Sequence, residues 1–440
     1  MESTFNHLLS ALMDSLQAGE VFTLELIGEQ SQFTRFNGGK VRQTGSVVDG
    51  TLNLSLKADQ RGAFREIPFT GELESDRPLL LMALEDLRQE LPQLPEDPYL
   101  VKPVGEATSH EVHSGQLLNP DAVVAAILPE VTRVDFTGIY AGGVLLRAYA
   151  DSAGQRHWFS TESFALDYSL FTEDGKAVKG TFAGSEWNPD AYAAKLAESK
   201  RLLAQMNQPA KPIQRGEYRT YLAPAAMAEL MGMFSWGAVS ESSMQRGGSA
   251  LAAMRRGEKT LSPRFTLRET FSRGLVPRFN GLGEIAPMDL PLIEAGQLVN
   301  TLISARTAKE FNLTSNGADG GEYLRSPEVN PGNLPSAEVL TKLETGLYLS
   351  NLHYLNWSDR PNGRITGMTR YACFWVEQGE IIAPIENLRF DESLYRCFGE
   401  NLLALTQEQE FIPEVGTYTN RNLGGIWVPG ALIEAFRYTL

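Results

Sequence analysis

An α+β fold is what this sequence predicts, and three observations carry the prediction. Apolar residues recur at helical spacing in some segments of the first half and at strand spacing in others. From about Arg264 onward, short strand-like runs alternate with Gly, Asn and Pro turns. Two proline-bearing connectors interrupt a chain of 440 residues, about three times the usual length of a domain. The expected organisation is an α+β unit over residues 1–103, a central α+β unit over 104–206 able to pack with the first as one domain, and a larger β-rich domain over 213–440.

Phe5, Leu8, Leu9, Leu12, Met13 and Leu16 repeat at three and four, so the chain opens with an amphipathic helix. Phe22, Leu24 and Leu26 then alternate with Thr23 and Glu25 as a half-buried strand does. Asn37-Gly38 separates Phe33–Phe36 from Lys40–Thr44 in the manner of a hairpin turn. Thr51–Lys57 and Ala63–Phe69 extend the meander. Asp76 is the expected cap of a second helix, whose stripe is Leu80, Leu81, Leu84, Leu87 and Leu91.

After the connector from Pro92 to Pro103, Asn119-Pro120 opens a short helix, because asparagine caps it and proline suits its first turn. Strand-like segments follow over Arg133–Tyr140, Val144–Ala150 and Arg156–Thr161. Asn188-Pro189 repeats the cap for a helix ending near Gln205. The connector from Asn207 to Pro212 marks the clearest boundary, and beyond Pro224 a stripe of Met227, Leu230, Met231 and Phe234 reads as a packed helix.

Composition narrows the function. With 39 basic and 54 acidic residues the net charge is −15, which repels phosphate and argues against nucleic acid or an anionic membrane as partner. Two cysteines, Cys373 and Cys397, exclude a disulfide scaffold and a four-cysteine zinc site. The N-terminus carries Glu2 and turns amphipathic at once, so no signal peptide is expected, and no run reaches the roughly 18 apolar residues of a membrane span.

The nearest metal motif, His110-Glu111-Val112-His113, is one residue too short to set two histidines a helical turn apart, and Gly105 and Gly115 suggest a loop around it. Gly281-Leu282-Gly283-Glu284-Ile285-Ala286 has the letters of a dinucleotide fingerprint, but Pro277 and Pro287 spoil the strand and helix it requires, leaving a turn-rich loop. Cys373, flanked by Ala372, Phe374 and Trp375, is expected to be a buried thiol, and Glu377, Glu380 and Glu386 a solvated edge.

One further pattern is more specific. Thr366-Gly367-Met368-Thr369-Arg370-Tyr371-Ala372-Cys373-Phe374-Trp375-Val376-Glu377-Gln378-Gly379-Glu380-Ile381, followed by Pro384-Ile385, resembles the signature run of the TldD/PmbA (TldD/TldE) family. Phe33 to Gln43 is similar to that family's N-terminal hairpin. Leu230-Met231-Gly232 through Gly247-Gly248-Ser249, then Gly257-Glu258-Lys259, resembles its central helix and loop. The three stretches span nearly the whole chain in the family's order.

The resemblance implies a cytoplasmic protein with an α+β N-terminal half, a β-rich C-terminal domain and an intimate dimer. In the TldD branch it implies a zinc peptidase with an HExxxH helix and a further ligand near the C-terminus, acting on unfolded peptides within a TldD–TldE heterodimer. Here the matching helix, Ala225 to Phe234, contains no histidine, and the C-terminal counterpart, Asn420-Arg421-Asn422-Leu423-Gly424-Gly425, contains no cysteine. A site without ligands cannot activate water, so the chain resembles the zinc-free TldE (PmbA) type.

The implied role is a non-catalytic subunit without its own cofactor: zinc resides in a TldD-like partner, and the chain forms a homodimer when alone. Glycine-flanked polar residues on the C-terminal sheet, namely Asn333, Thr366, Thr369 and Arg370, are the expected contacts to an unfolded peptide. Arg370 suits a carboxylate or a buried ion pair. Two alternatives stand beside this reading: a stand-alone metallopeptidase assembled from distant residues such as His157 and His353, and a non-enzymatic homodimeric binding protein of the modulator of DNA gyrase type.

Overall fold

The opening apolar stripe is the buried face of helix α1 (Glu2–Ser15), with Phe5, Leu8, Leu9 and Leu12 inside and Met13 exposed at its margin. The computed structural model describes residues 1–417 and 419–439. Strands β1 (Val21–Asn37) and β2 (Lys40–Ala58) form one hairpin paired from end to end, where the sequence suggested four separate runs. Gly38 and Gly39 make its turn with φ of +58° and +66°, the pair of left-handed residues that the tightest hairpins demand. Strand β3 (Arg61–Pro68) completes the meander.

Asp76 is not the cap of the second helix. Helix α2 (Leu73–Glu90) begins three residues earlier, and Asp76 lies fully buried in its first turn. Its carboxylate accepts from the Thr70 and Gly71 N–H groups, both at 2.9 Å, and from Thr70 Oγ1 at 2.8 Å. An acid in the first turn also gains from the helix dipole, so the residue ties the incoming loop to the helix.

The segment expected as a loop around His110 is a strand, β4 (Thr108–His113), parallel to β6 (Arg156–Phe171). Main-chain pairing to β6 overrides the flanking glycines. Helix α3 (Val123–Val131) precedes β5 (Asp135–Asp151), which runs unbroken through Gly142-Gly143. Gly143 makes that possible: a Cβ there would meet the Gln30 carbonyl oxygen at 2.2 Å. Strand β7 (Ala177–Gly184) and helix α4 (Pro189–Met206) follow, with Asn188 capping α4 through the Ala191 N–H at 2.9 Å.

All seven strands make one sheet in the order β3-β2-β1-β5-β6-β4, with β7 against β6. Residues 1–103 and 104–206 therefore share a sheet, joined along β1 and β5. Alternation gives that sheet two distinct faces. Even-numbered residues such as Leu24, Leu26, Leu54 and Leu146 pack under α1 and α2, and Phe136, Tyr140, Leu166 and Tyr168 under α3 and α4. The odd-numbered face turns towards loops of the C-terminal half.

That half is built on an 11-stranded sheet. Strand β8 (Gly216–Leu222) leads into helix α5 (Pro224–Ser235). Four short strands follow, β9 (Leu267–Thr270), β10 (Asp289–Glu294), β11 (Gln297–Leu298) and β12 (Pro327–Val329). The last part departs from the expectation of short runs: β13 (Gly346–Asp359), β14 (Arg364–Glu377) and β18 (Gly425–Tyr438) have 14 residues each. Between them come β15 (Glu380–Pro384), β16 (Arg389–Ser393) and β17 (Leu402–Pro413). Bulges in β13 absorb its irregular pattern. The sheet and α5 enclose the largest core, which takes in Met227, Leu230, Met231 and Phe234. No helix among the described residues is long and apolar enough to cross a membrane.

Candidate functional site

Three of the four expected peptide contacts lie on β14. Thr366 Oγ1 donates to the Phe390 carbonyl at 2.9 Å. Thr369 is buried, and its hydroxyl accepts the Leu388 N–H at 2.8 Å, so both threonines serve strand pairing. Arg370 is exposed, with its guanidinium 5.0 Å from the ring of Tyr371, which removes the buried ion pair considered for it. Asn333 is exposed in a loop whose next residue pairs with β17, and β16 and β18 separate β17 from β14. None of the four lines any of four principal clefts.

The segment read as resembling the family's zinc helix forms α5. Its inner face is Ala226, Met227, Leu230, Met231, Met233 and Phe234, and Glu229 is its one carboxylate. Partial desolvation raises the Glu229 pKa, and the charge of Glu414 at the end of β17 raises it further. Zinc needs three or four donors drawn from histidine, thiolate and carboxylate around one point. Two repelling carboxylates do not fit that requirement, and no group of three metal-ligating side chains converges among the described residues. His157 and His353 lie in different sheets, His157 stacked on Phe279 and His353 against Tyr354. His110 and His113, three apart on β4, fall on opposite faces of that strand. Cys373 is buried, and desolvation pushes its thiol up to about 11.

The C-terminal counterpart, residues 420–425, does something the sequence did not announce. Arg421 is buried against the odd face of the N-terminal sheet. Its guanidinium donates to the Ser163 carbonyl at 2.9 Å, to Ser163 Oγ and Ser31 Oγ at 3.2 Å, and to the Gly143 carbonyl at 3.5 Å. The buried carboxylate of Glu29 accepts from Ser31 Oγ at 3.1 Å and from the Arg421 N–H at 3.4 Å. Desolvation pulls the Arg421 pKa down and Glu29 opposes that pull. Arg147 is held down to about 10 by burial, again against Glu29. The charge of one buried acid thus acts on two arginines without a direct ion pair to either guanidinium, and no motif signals it.

The loop of Gly281 to Ala286, read as turn-rich, docks on the same face. Phe279 stacks on His157 with ring centroids 5.2 Å apart, and Gln155 Nε2 donates to the Leu282 carbonyl at 3.0 Å. His157 Nδ1 shares a hydrogen bond of 2.8 Å with Ser109 Oγ. Asp151, fully buried, accepts from Tyr149 Oη at 2.9 Å, Gln155 Nε2 at 2.8 Å and the Ala153 N–H at 2.8 Å.

Beyond Arg421, towards the hairpin turn, the odd face is uncovered and forms the floor of a cleft of about 1110 Å³. The β1–β2 hairpin walls one side and the loop before Arg421 the other. A narrower pocket continues it to Glu414, the acid whose charge acts on Glu229 of α5. Of the two segments that resemble the family's zinc site, the C-terminal one therefore borders the cleft, while no residue of α5 lines it. The hairpin was legible as a family motif, but its role as a wall needed the fold.

The family model for the PmbA/TldA metallopeptidase C-terminal domain matches residues 215–439, just over half of the 440-residue chain. The chain belongs to the TldD/PmbA family. Among solved structures it is similar to TldE from Thermococcus kodakarensis, with a TM-score of 0.80 at 14% identity over 99% of this chain and 100% of that one. Proteins named as candidate modulators of DNA gyrase share the fold too. The one from Thermotoga maritima has a TM-score of 0.75 at 15% identity over 100% of both chains. The one from Bacteroides thetaiotaomicron has 0.78 at 14% over 100% of this chain and 98% of that one. At such identities the likeness speaks to fold alone. No curated protein matches by sequence.

Proposed function

We propose that this chain is a non-catalytic, TldE-like subunit of a cytoplasmic TldD/TldE-type metallopeptidase complex that processes unfolded peptides. The observation that carries the reading is α5: the segment that resembles the family's zinc helix offers Ala, Met and a single glutamate instead of histidines. Arg421, in the other counterpart segment, is spent on holding the two halves together. Zinc and the water it activates then belong to a TldD-like partner. This chain completes the shared chamber, pairs with itself when the partner is missing, and folds as an N-terminal unit of residues 1–206 and a C-terminal unit of 213–440. Arg370, exposed and without an acid partner among the described residues, remains a peptide contact in this reading.

Native mass spectrometry of the complex purified from its own host tests it. A one-to-one assembly with an HExxxH-bearing chain and a single zinc is expected. A metal-free homodimer with no second chain, even at low salt, overturns it in favour of a homodimeric binding protein. Within a confirmed complex, Arg370→Ala should slow peptide processing and leave the thermal midpoint in place.

A further inference from the structure

The cleft on the odd face has a charge opposite to that of the chain around it. Its lining contains four basic residues, Arg35, Arg42, Lys179 and Arg421, against two acidic ones, Glu29 and Asp167, in a chain of net charge −15. Lys179 is ion-paired with Asp167, and Arg421 is locked beside Glu29. Arg35 and Arg42 are left over: both are exposed and neither joins an ion pair among the described residues.

The backbone aims them. β1 and β2 slip register where Arg35 pairs with Gln43 and Phe36 with Val41, leaving Arg42 as the extra residue of a bulge. A bulge re-aims side chains, and Arg42 and Gln43, which regular alternation would send to opposite faces, both line the cleft. Phe33 lies over Gly45, where a Cβ would come within 2.7 Å of its ring, and this keeps the lane beside the arginines low.

That lane has an open edge. β3 pairs with β2 only from Thr51 to Ala58, so residues 40–49 present unpaired main-chain groups on their outer side, with Val48 68% exposed. An open strand edge is a template for another extended chain. A strand added there would direct every second side chain to the face that carries Arg42 and Arg35.

We propose that the β2 edge over residues 40–49 takes up an extended acidic peptide as an added strand, with carboxylates on alternate residues engaged by Arg35 and Arg42. The idea rests on the peptide-handling reading above and names its substrate class: unfolded segments rich in Asp and Glu. Charge-assisted hydrogen bonds supply the selectivity, and main-chain pairing supplies sequence-tolerant affinity.

The full chain, purified alone, is titrated by fluorescence anisotropy into labelled peptides alternating Thr with Glu, Gln or Lys. The Glu peptide should bind about tenfold or more tighter than the Gln peptide, the Lys peptide should not bind, and affinity should fall as salt rises. The double variant Arg35→Ser/Arg42→Ser, confined to exposed side chains, should remove the Glu preference. A Glu peptide N-methylated at alternate amides should lose binding altogether. Equal binding of the Glu and Gln peptides, or an unchanged double variant, overturns the charge argument; full binding of the N-methylated peptide overturns the added strand. Because no partner is present, a chain that binds the Glu peptide yet recruits no zinc-bearing subunit keeps this inference and sinks the subunit reading. A chain that recruits the subunit but ignores the peptide does the reverse.

Discussion

The odd face of the N-terminal sheet treats its two ends in opposite ways. At the end near Tyr149 and His157, Asp151 is buried and surrounded by donors, and Phe279 covers the surface by stacking. At the end near the hairpin turn, arginines stand in solvent over an open floor. Arg421 marks the border between them. The strands are the same strands, so backbone geometry does not distinguish the ends; side-chain chemistry does. A sheet face is closed where its polar groups can be satisfied by a docking loop and stays open where leftover charge makes dehydration costly.

Mutations can break that contrast, and the border should be the most sensitive place. Arg421→Met should destabilise the chain by about 3–5 kcal/mol, because it strips the counter-charge from buried Glu29 and orphans the Ser163 and Gly143 carbonyls; urea denaturation measures it. A loss below about 1 kcal/mol would mean that water already reaches the site. Phe279→Ala should cost roughly 3 kcal/mol, near the lower end for a large aromatic because a loop can partly collapse into the gap. Hydrogen exchange should then rise in residues 279–286 and not around Arg421.

The covered end should also respond to acid. Burial holds the His157 pKa below the ordinary histidine range, against the pull of Asp151. The unfolded chain therefore takes up the proton first, and stability should fall as pH drops below about 6.5. Glu25, raised by burial despite Lys57, acts in the opposite sense, since the folded chain protonates it first. The difference in urea midpoint between the parent and His157→Gln isolates the histidine: the parent should lose more stability on acidification. At the open end the effect should be smallest. Arg35→Gln should shift stability by less than about 0.5 kcal/mol, as an exposed residue without partners does, and a larger loss would show that the cleft is more closed than its geometry suggests.

Much of the architecture was legible in residues. The stripe from Phe5 to Leu12, the cap at Asn188, the hairpin turn beside Asn37 and the packed face of α5 follow from local periodicity and turn chemistry, whereas Asn119 precedes a single 3-10 turn and makes no capping hydrogen bond with its side chain. The misreadings share one cause. Gly45-Ser46 and Gly142-Gly143 look like breaks, yet β1, β2 and β5 run straight through because neighbouring strands complete their hydrogen bonds. Likewise β4 is a strand only because β6 lies beside it, and Asp76 buries itself because Thr70 and Gly71 offer it three donors.

The sequence by itself determined the α+β class, the family, the acidic charge and the absence of histidine from α5, since all of these reside in residue identity and short-range spacing. Only the tertiary structure decided that Arg421 clamps two sheets, that residues 281–286 seal one end of a face, and that Arg35 and Arg42 share a cleft. Those facts depend on contacts between residues up to several hundred positions apart, such as Ser31 with Arg421, and long-range register is set by the packing of whole faces rather than by any local pattern.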